Sequence, residues 1–216
     1  MLFGNAVSVL FAGLAAAAPL EGNEAATFEI DTRQVVNPNL KILSAPVVSG
    51  TGCPPGTGHV IFDKDFQAFT VSFDKYEVTT GPAPLGPSNS VKGCRITLHL
   101  GYTKGLTFSV LTTDLEGFSS LEKGVTGKAV TDFSFTGGVG KPRWQHNFGP
   151  GDGPFDLHAD PTLIVNSPCG TGSVIMNINT AISLNPLAPQ PKKGLITASN
   201  MDGVLRQKFH IKWGRC

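Results

Sequence analysis

Residues 95–136 read RITLHLGYTKGLTFSVLTTDLEGFSSLEKGVTGKAVTDFSFT. Ile96, Leu98 and Leu100 recur at every second position, with Arg95, Thr97 and His99 between them. A period of two is that of a pleated strand with one face buried and the other wet. Leu106–Thr113 continues the pattern and aims Phe108 and Val110 inward; Leu115–Leu121 forms a further short strand. In Lys128–Thr136, Thr131, Phe133 and Phe135 oppose Val130, Asp132 and Ser134. Glycines stand between these runs, where turns are needed.

The same signal extends outward in both directions. His59–Phe62 leads through Asp63-Lys64-Asp65 to Gln67–Tyr76, where Phe69, Val71 and Phe73 share a face. Phe155–Val165 reads as one or two strands split at Pro161. Ser173–Leu184 is the longest strand, and Ile175, Ile178 and Ile182 fall out of phase, so a bulge is expected there. Leu195–Ser199 and Val204–Trp213 read as a hairpin across Asn200–Gly203. Nowhere do apolar residues recur at helical spacing over three turns. Short strands at close, regular spacing predict an all-β fold, an antiparallel β-sandwich of jelly-roll-like type. No repeat of fixed period points to a propeller or β-helix.

Composition limits the function. The 216 residues carry 17 Lys+Arg and 16 Asp+Glu, a net charge of +1, which excludes a polycation that grips nucleic acid by counterion release. Apolar residues make up 40% and charged residues only 15%, so the chain is not a disordered polyelectrolyte. The 26 glycines and 16 prolines supply the many turns that short strands require. No nucleotide-binding loop, dinucleotide fingerprint or nucleic-acid module is present, and no cofactor is implied.

The first residues read MLFGNAVSVLFAGLAAAA. An apolar run leading into small residues predicts a secretory signal peptide over 1–17, followed by an extended leader over 18–43 and the sandwich domain over 44–216. No second apolar stretch approaches spanning length, so no membrane span is expected. Four cysteines, Cys53, Cys94, Cys169 and Cys216, in an exported chain predict two disulfides. Three connectivities are open. Pairing of sequence neighbours, Cys53 with Cys94 and Cys169 with Cys216, is the expected one. No C-x-x-C pair suggests zinc, and no N-glycosylation sequon occurs.

Several stretches are familiar: Gly50-Thr51-Gly52-Cys53-Pro54, Phe69–Phe73, Gly93–Leu98, Gly105–Val110, Leu121–Gly127, Ser167-Pro168-Cys169-Gly170, Asn177–Thr180, and Met201-Asp202-Gly203 through His210–Trp213 to Cys216. In these the chain resembles a family of small secreted fungal and bacterial proteins of unknown function. The resemblance implies secretion and a disulfide-linked β fold. It brings no established activity and no catalytic residues.

Candidate chemistry concentrates in Trp144–Asp160, WQHNFGPGDGPFDLHAD. Trp144 reads as an exposed loop aromatic that could carry a sugar, with Tyr76 and Tyr102 as further platforms. His146, Asp152, Asp156 and His158 are the possible ligand-binding residues beside it. On an extended strand Asp156, His158 and Asp160 point the same way. The ordinary reading of this stretch is a Gly/Pro loop beside a solvated strand face, and no metal site is expected. The strand-borne acids Asp74, Glu77, Asp114, Glu116, Glu122 and Asp132 could supply the two carboxyls of a glycoside hydrolase if any pair flanks a cleft. Arg206, Lys208, His210 and Lys212 form a basic stripe that could meet an acidic polymer, or simply blunt an edge strand. These features predict a secreted, non-enzymatic protein acting at the cell wall or a host interface, such as an effector, an elicitor or a cell-surface binding protein. Its partner would be a cell-wall polysaccharide or a host surface protein. The alternative is a carbohydrate-binding or carbohydrate-active sandwich. No catalytic residue is assigned.

Overall fold

The computed structural model describes residues 38–82, 90–169, 172–186, 192–197 and 205–216. The signal-peptide segment 1–17 and all but the end of the 18–43 leader lie outside the described residues. Thirteen strands occur among the described residues. They are β1 (Lys41–Ile42), β2 (Val47–Ser49), β3 (Gly58–Phe62), β4 (Ala68–Phe73), β5 (Val78–Thr80), β6 (Val91–Gly101), β7 (Leu106–Leu121), β8 (Val125–Phe135), β9 (Arg143–Phe148), β10 (Gly151–Ala159), β11 (Ser173–Pro186), β12 (Gly194–Thr197) and β13 (Leu205–Arg215).

They form two antiparallel sheets, as the alternation predicts. Sheet A runs β1-β6-β11-β8-β9, with β2 also along β6. Sheet B runs β3-β4-β13-β7-β12-β5, with β10 on β7. Ile96, Leu98, Ile178, Ile182 and Phe133 from sheet A meet Phe69, Val71, Phe73, Val110 and Phe209 from sheet B, all fully buried. Trp144 on β9 reaches across to Phe209 on β13 at 6.2 Å, edge to face, and stacks on Phe133 at 5.2 Å. Such ring pairs add about 0.5–1.5 kcal/mol beyond the area they bury.

One polar cluster sits inside this apolar layer. Gln207 (1% exposed) accepts from the Thr180 hydroxyl at 3.0 Å. Its amide donates to Thr131 at 2.8 Å and Thr113 at 3.2 Å. Thr131 and Thr180 bond each other at 3.1 Å. Gln207 and Thr113 belong to sheet B, Thr131 and Thr180 to sheet A, so the cluster pins the two layers in one register.

Both expected disulfides are present, Cys53–Cys94 and Cys169–Cys216, and no cysteine is free. Their sequence separations of 41 and 47 give loop-closure terms of about 4 kcal/mol each.

Several expectations are corrected. β7 is one strand of 16 residues, not two. β11 pairs with both neighbours without a register shift, so it has no bulge; Ile175 faces out while Ile178 and Ile182 face in. The irregularity lies instead between His210 and Ile211 on β13. β12 and β13 do not pair as a hairpin. They run end to end along one edge of β7, with Thr197 opposite Phe118 and Arg206 opposite Glu116. Nor is β13 an edge strand: it lies between β4 and β7.

Candidate functional site

The expected ligand group in 144–160 is divided by the fold. Arg143–Phe148 belongs to sheet A and Gly151–Ala159 to sheet B, so the chain changes layers at Gly149–Pro150. Trp144 is not a loop aromatic. It points inward from β9 and is 1% exposed, because β9 alternates Trp144, His146 and Phe148 toward the core. It is therefore unavailable as a surface platform. Tyr76 and Tyr102 are buried likewise, their hydroxyls held by the Lys92 and Thr180 carbonyls and by the Pro168 carbonyl. Burial pushes the Tyr76 phenol well above its ordinary range.

His146 also points inward, and its Nε2 has no hydrogen-bond partner among the described residues. Burial holds its pKa below the usual imidazole value, and the nearby His158 adds to this. Asp152, Asp156 and His158 lie instead on the exposed outer face of β10. The structure thus places Asp156 and His158 on the outer face of sheet B, while Trp144 and His146 point into the core.

On that face His158 meets β7. Its Nδ1 lies 2.6 Å from Asp114 Oδ1, and His210 Nε2 from β13 lies 2.6 Å from Asp114 Oδ2. One carboxylate thus bridges two imidazoles across three strands. Partial burial opposes the Asp114 charge, but the hydrogen bonds from His210 and His158 prevail and hold its pKa below the usual carboxylate range. The bond to Asp114 raises the His158 pKa in turn. Asp160 lies 4.0 Å from His158 Nε2. No group of three or more His, Cys, Asp or Glu side chains among the described residues is arranged to hold a metal ion.

Most of the basic stripe of β13 is compensated in place. Lys208 pairs with Asp63 at 3.2 Å, His210 with Asp114, and Arg206 stands opposite Glu116. The stripe is an interior strand with acids beside three of its four basic side chains; Lys212, opposite Ser109, is exposed.

The outer face of sheet A has a different character. β6 presents Arg95, Thr97 and His99; β11 presents Asn177, Asn179, Ala181 and Ser183; β8 presents Lys128, Val130, Asp132 and Ser134; β9 presents Arg143, Gln145 and Asn147. The register sets Arg95, Asn179, Asp132 and Arg143 in one row across four strands. Arg95 Nε donates to Asn179 Oδ1 at 3.0 Å, and Asn179 Nδ2 donates to Asp132 Oδ1 at 2.9 Å. In the next row Thr97 donates to Asn177 Oδ1 at 2.9 Å. Asn179 uses both ends of its amide on its neighbours, so the side chains of Arg95, Asn179 and Asp132 are held in place.

Two shallow depressions lie on this face. The first, about 320 Å³, is lined by Ser49, Gly50, Gly93, Arg95, Val130, Asp132, Asn179 and Ala181 among others. The second, about 460 Å³, is lined by Thr126, Gly127, Lys128, Asn147, Phe148, Ser183 and Asn185. They follow one another along the β8–β11 pair. Gly93 and Ala181 leave the floor of the first low because they lack bulk. Among the described residues, Asp132 is the only carboxylate lining either depression.

This is an exported, disulfide-clamped β-sandwich, and comparison with known proteins gives it a family. The chain belongs to DUF4360, a domain of unknown function, which matches residues 39–216. An uncharacterized secreted protein of Arthroderma benhamiae is 33% identical over 170 residues, 77% of this chain and 68% of that protein. Among solved structures, TmCBM61 in complex with beta-1,4-galactotriose aligns over 80% of this chain and 90% of its own, at 12% identity and a TM-score of 0.30. The family 11 carbohydrate-binding module from Clostridium thermocellum, in complex with a beta-1,3-1,4-mixed-linked tetrasaccharide, aligns over 83% and 92%, at 15% identity and a TM-score of 0.23. Likenesses this distant carry no argument about the site. The protein is secreted, and its two disulfides suit that compartment.

Proposed function

We propose that this secreted protein is a non-catalytic glycan-binding protein of the cell wall or a host surface, and that its ligand lies across the outer face of sheet A. The observation that carries this reading is the hydrogen-bonded row Arg95–Asn179–Asp132, with Arg143 next in register, beside open depressions. A polyhydroxylated chain needs many fixed donors and acceptors spread over a shallow surface. The amides, hydroxyls and guanidinium groups of β6, β11, β8 and β9 supply them. Binding without cleavage fits the carboxylates. Hydrolysis of a glycosidic bond uses two carboxyls about 5–10 Å apart. Among the described residues, Asp132 is the single one lining the depressions, and Asn179 already engages it.

The test is a pulldown on insoluble chitin, cellulose and β-glucan and on host membranes, with wild type and Asn179→Ala. Retention on a polysaccharide that Asn179→Ala weakens about tenfold supports the reading, since removing a fixed hydrogen-bonding side chain costs about 1–1.5 kcal/mol. Release of soluble sugar, or retention on membranes alone, would overturn it.

A further inference from the structure

We infer that the glycan recognised by sheet A is an acidic one, carrying carboxylates or sulfates along an extended chain; this rests on the glycan-binding reading above. The two outer faces of the sandwich differ in charge. On sheet A the outward positions of β6, β8 and β9 carry Arg95, Lys128 and Arg143 against the single carboxylate Asp132. On sheet B the outward positions of β7 and β10 carry the four acids Asp114, Glu116, Asp152 and Asp156 against Arg206, Lys208 and Lys212 of β13. A polyanion therefore meets a surplus of cations on sheet A and a slight surplus of acids on sheet B.

The spacing of the cations selects a polymer over a small ion. Arg95 and Arg143 stand on strands three spacings apart, about 14 Å at roughly 4.8 Å per spacing. Lys128 lies four residues from Asp132 along β8, about 13 Å at roughly 3.3 Å per residue. No single sugar or phosphate touches all three. An extended chain lying along the two depressions meets Arg95 at the first and Lys128 at the second, with Arg143 flanking it from β9.

The row is also arranged to keep its guanidinium available. Arg95 spends its Nε on Asn179, which fixes the plane of the fork. Its terminal nitrogens make no hydrogen bond among the described residues. A planar fork held at one nitrogen and open at the others suits bidentate contact with a carboxylate or sulfate. Asn179 in turn occupies Asp132, so that acid is engaged within the row.

The experiment compares matched polymers that differ in charge: polygalacturonate against its fully methyl-esterified form, and dextran sulfate against dextran. Binding is measured by titration calorimetry on wild type, Arg95→Ala, Arg143→Ala and, as a control on the other face, Lys208→Ala. Thermal melts of each variant confirm folding; Arg95 and Arg143 are exposed, so their melts should match wild type. The inference requires one acidic polymer to bind at least about tenfold more tightly than its neutral partner, and each sheet A arginine variant to lose about tenfold. Polygalacturonate preference identifies a carboxylate ligand, dextran sulfate preference a sulfate one. Equal binding of a charged polymer and its neutral partner overturns the acidic assignment and leaves the glycan reading standing. Loss confined to Lys208→Ala overturns both, and so does failure to bind any of these polymers or the insoluble glucans and chitin.

Discussion

Replacing Gln207 tests the buried polar pin between the sheets. Gln207 is 1% exposed and engages Thr180, Thr131 and Thr113 at 3.0, 2.8 and 3.2 Å. Gln207→Leu keeps most of the volume and removes the amide. Thr131 and Thr180 still bond each other at 3.1 Å, but the fully buried Thr113 hydroxyl loses its side-chain partner. One orphaned buried hydroxyl costs about 1–3 kcal/mol. In a domain of this size that lowers the melting temperature by roughly 2–12 °C. Gln207→Ala adds a cavity, and the loss should reach roughly 3–5 kcal/mol. Combining Gln207→Leu with Thr113→Val removes the orphan and should bring stability back to within about 1 kcal/mol of wild type. Urea unfolding with the disulfides intact reads all four proteins. A Gln207→Leu cost below about 0.5 kcal/mol, the level of a surface change, would refute the reasoning. So would a double variant less stable than Gln207→Leu alone.

Other outcomes follow from the same geometry. Asp114→Asn should lower the His158 pKa toward that of a free imidazole, read by the pH dependence of its NMR shift; an unmoved titration would contradict the bond to Asp114. His158, whose folded pKa is raised, contributes stability present below about pH 6.5 and lost as pH rises through its raised value. His146, whose folded pKa is lowered, contributes stability present above about pH 6.5 and lost as pH falls through its lowered value. Melts of His158→Gln and His146→Leu at pH 5 and pH 8 should therefore show opposite trends against wild type, and parallel trends would contradict the assignment. In Trp213→Phe, the remaining Trp144 emission should be blue-shifted and resist iodide quenching, because Trp144 is 1% exposed; ready quenching would place it at the surface. The native protein should show no thiol to a labelling reagent until reductant is added, and labelling beforehand would contradict the two bridges.

The fold was legible because one rule governs most of it. Alternation in Arg95–Tyr102 and Lys128–Thr136 reports which side chains face the core, and every inward assignment there agrees with burial. The same rule fails where strand identity depends on partners. Leu195 and Val204 look like two arms of a hairpin, since a glycine-containing turn joins two alternating runs. Yet β7 is long enough to accept both end to end, and its length is invisible from the later segment. Trp144 misleads for a similar reason. Its Gly/Pro flanks suggest a loop, but β9 turns Trp144 inward against Phe133 of the neighbouring strand and Phe209, which is distant in sequence. The candidate site was half visible. Arg95, Thr97 and Asp132 show their outward phase in the sequence. Their alignment with Asn179 and Arg143 comes only from the register of β6, β11, β8 and β9. Asp152, Asp156 and His158 of β10, by contrast, stand out in sequence but lie on the outer face of sheet B, where His158 pairs with Asp114.

The most direct measurement is an amide NMR map of the protein as a soluble fragment of its best-bound polysaccharide is added. The account expects shifts concentrated at Arg95, Asp132, Arg143, Gln145 and Asn179, with the β3–β4–β13–β10 surface unmoved. Shifts centred on Asp114, His158 and Lys208 instead would contradict it.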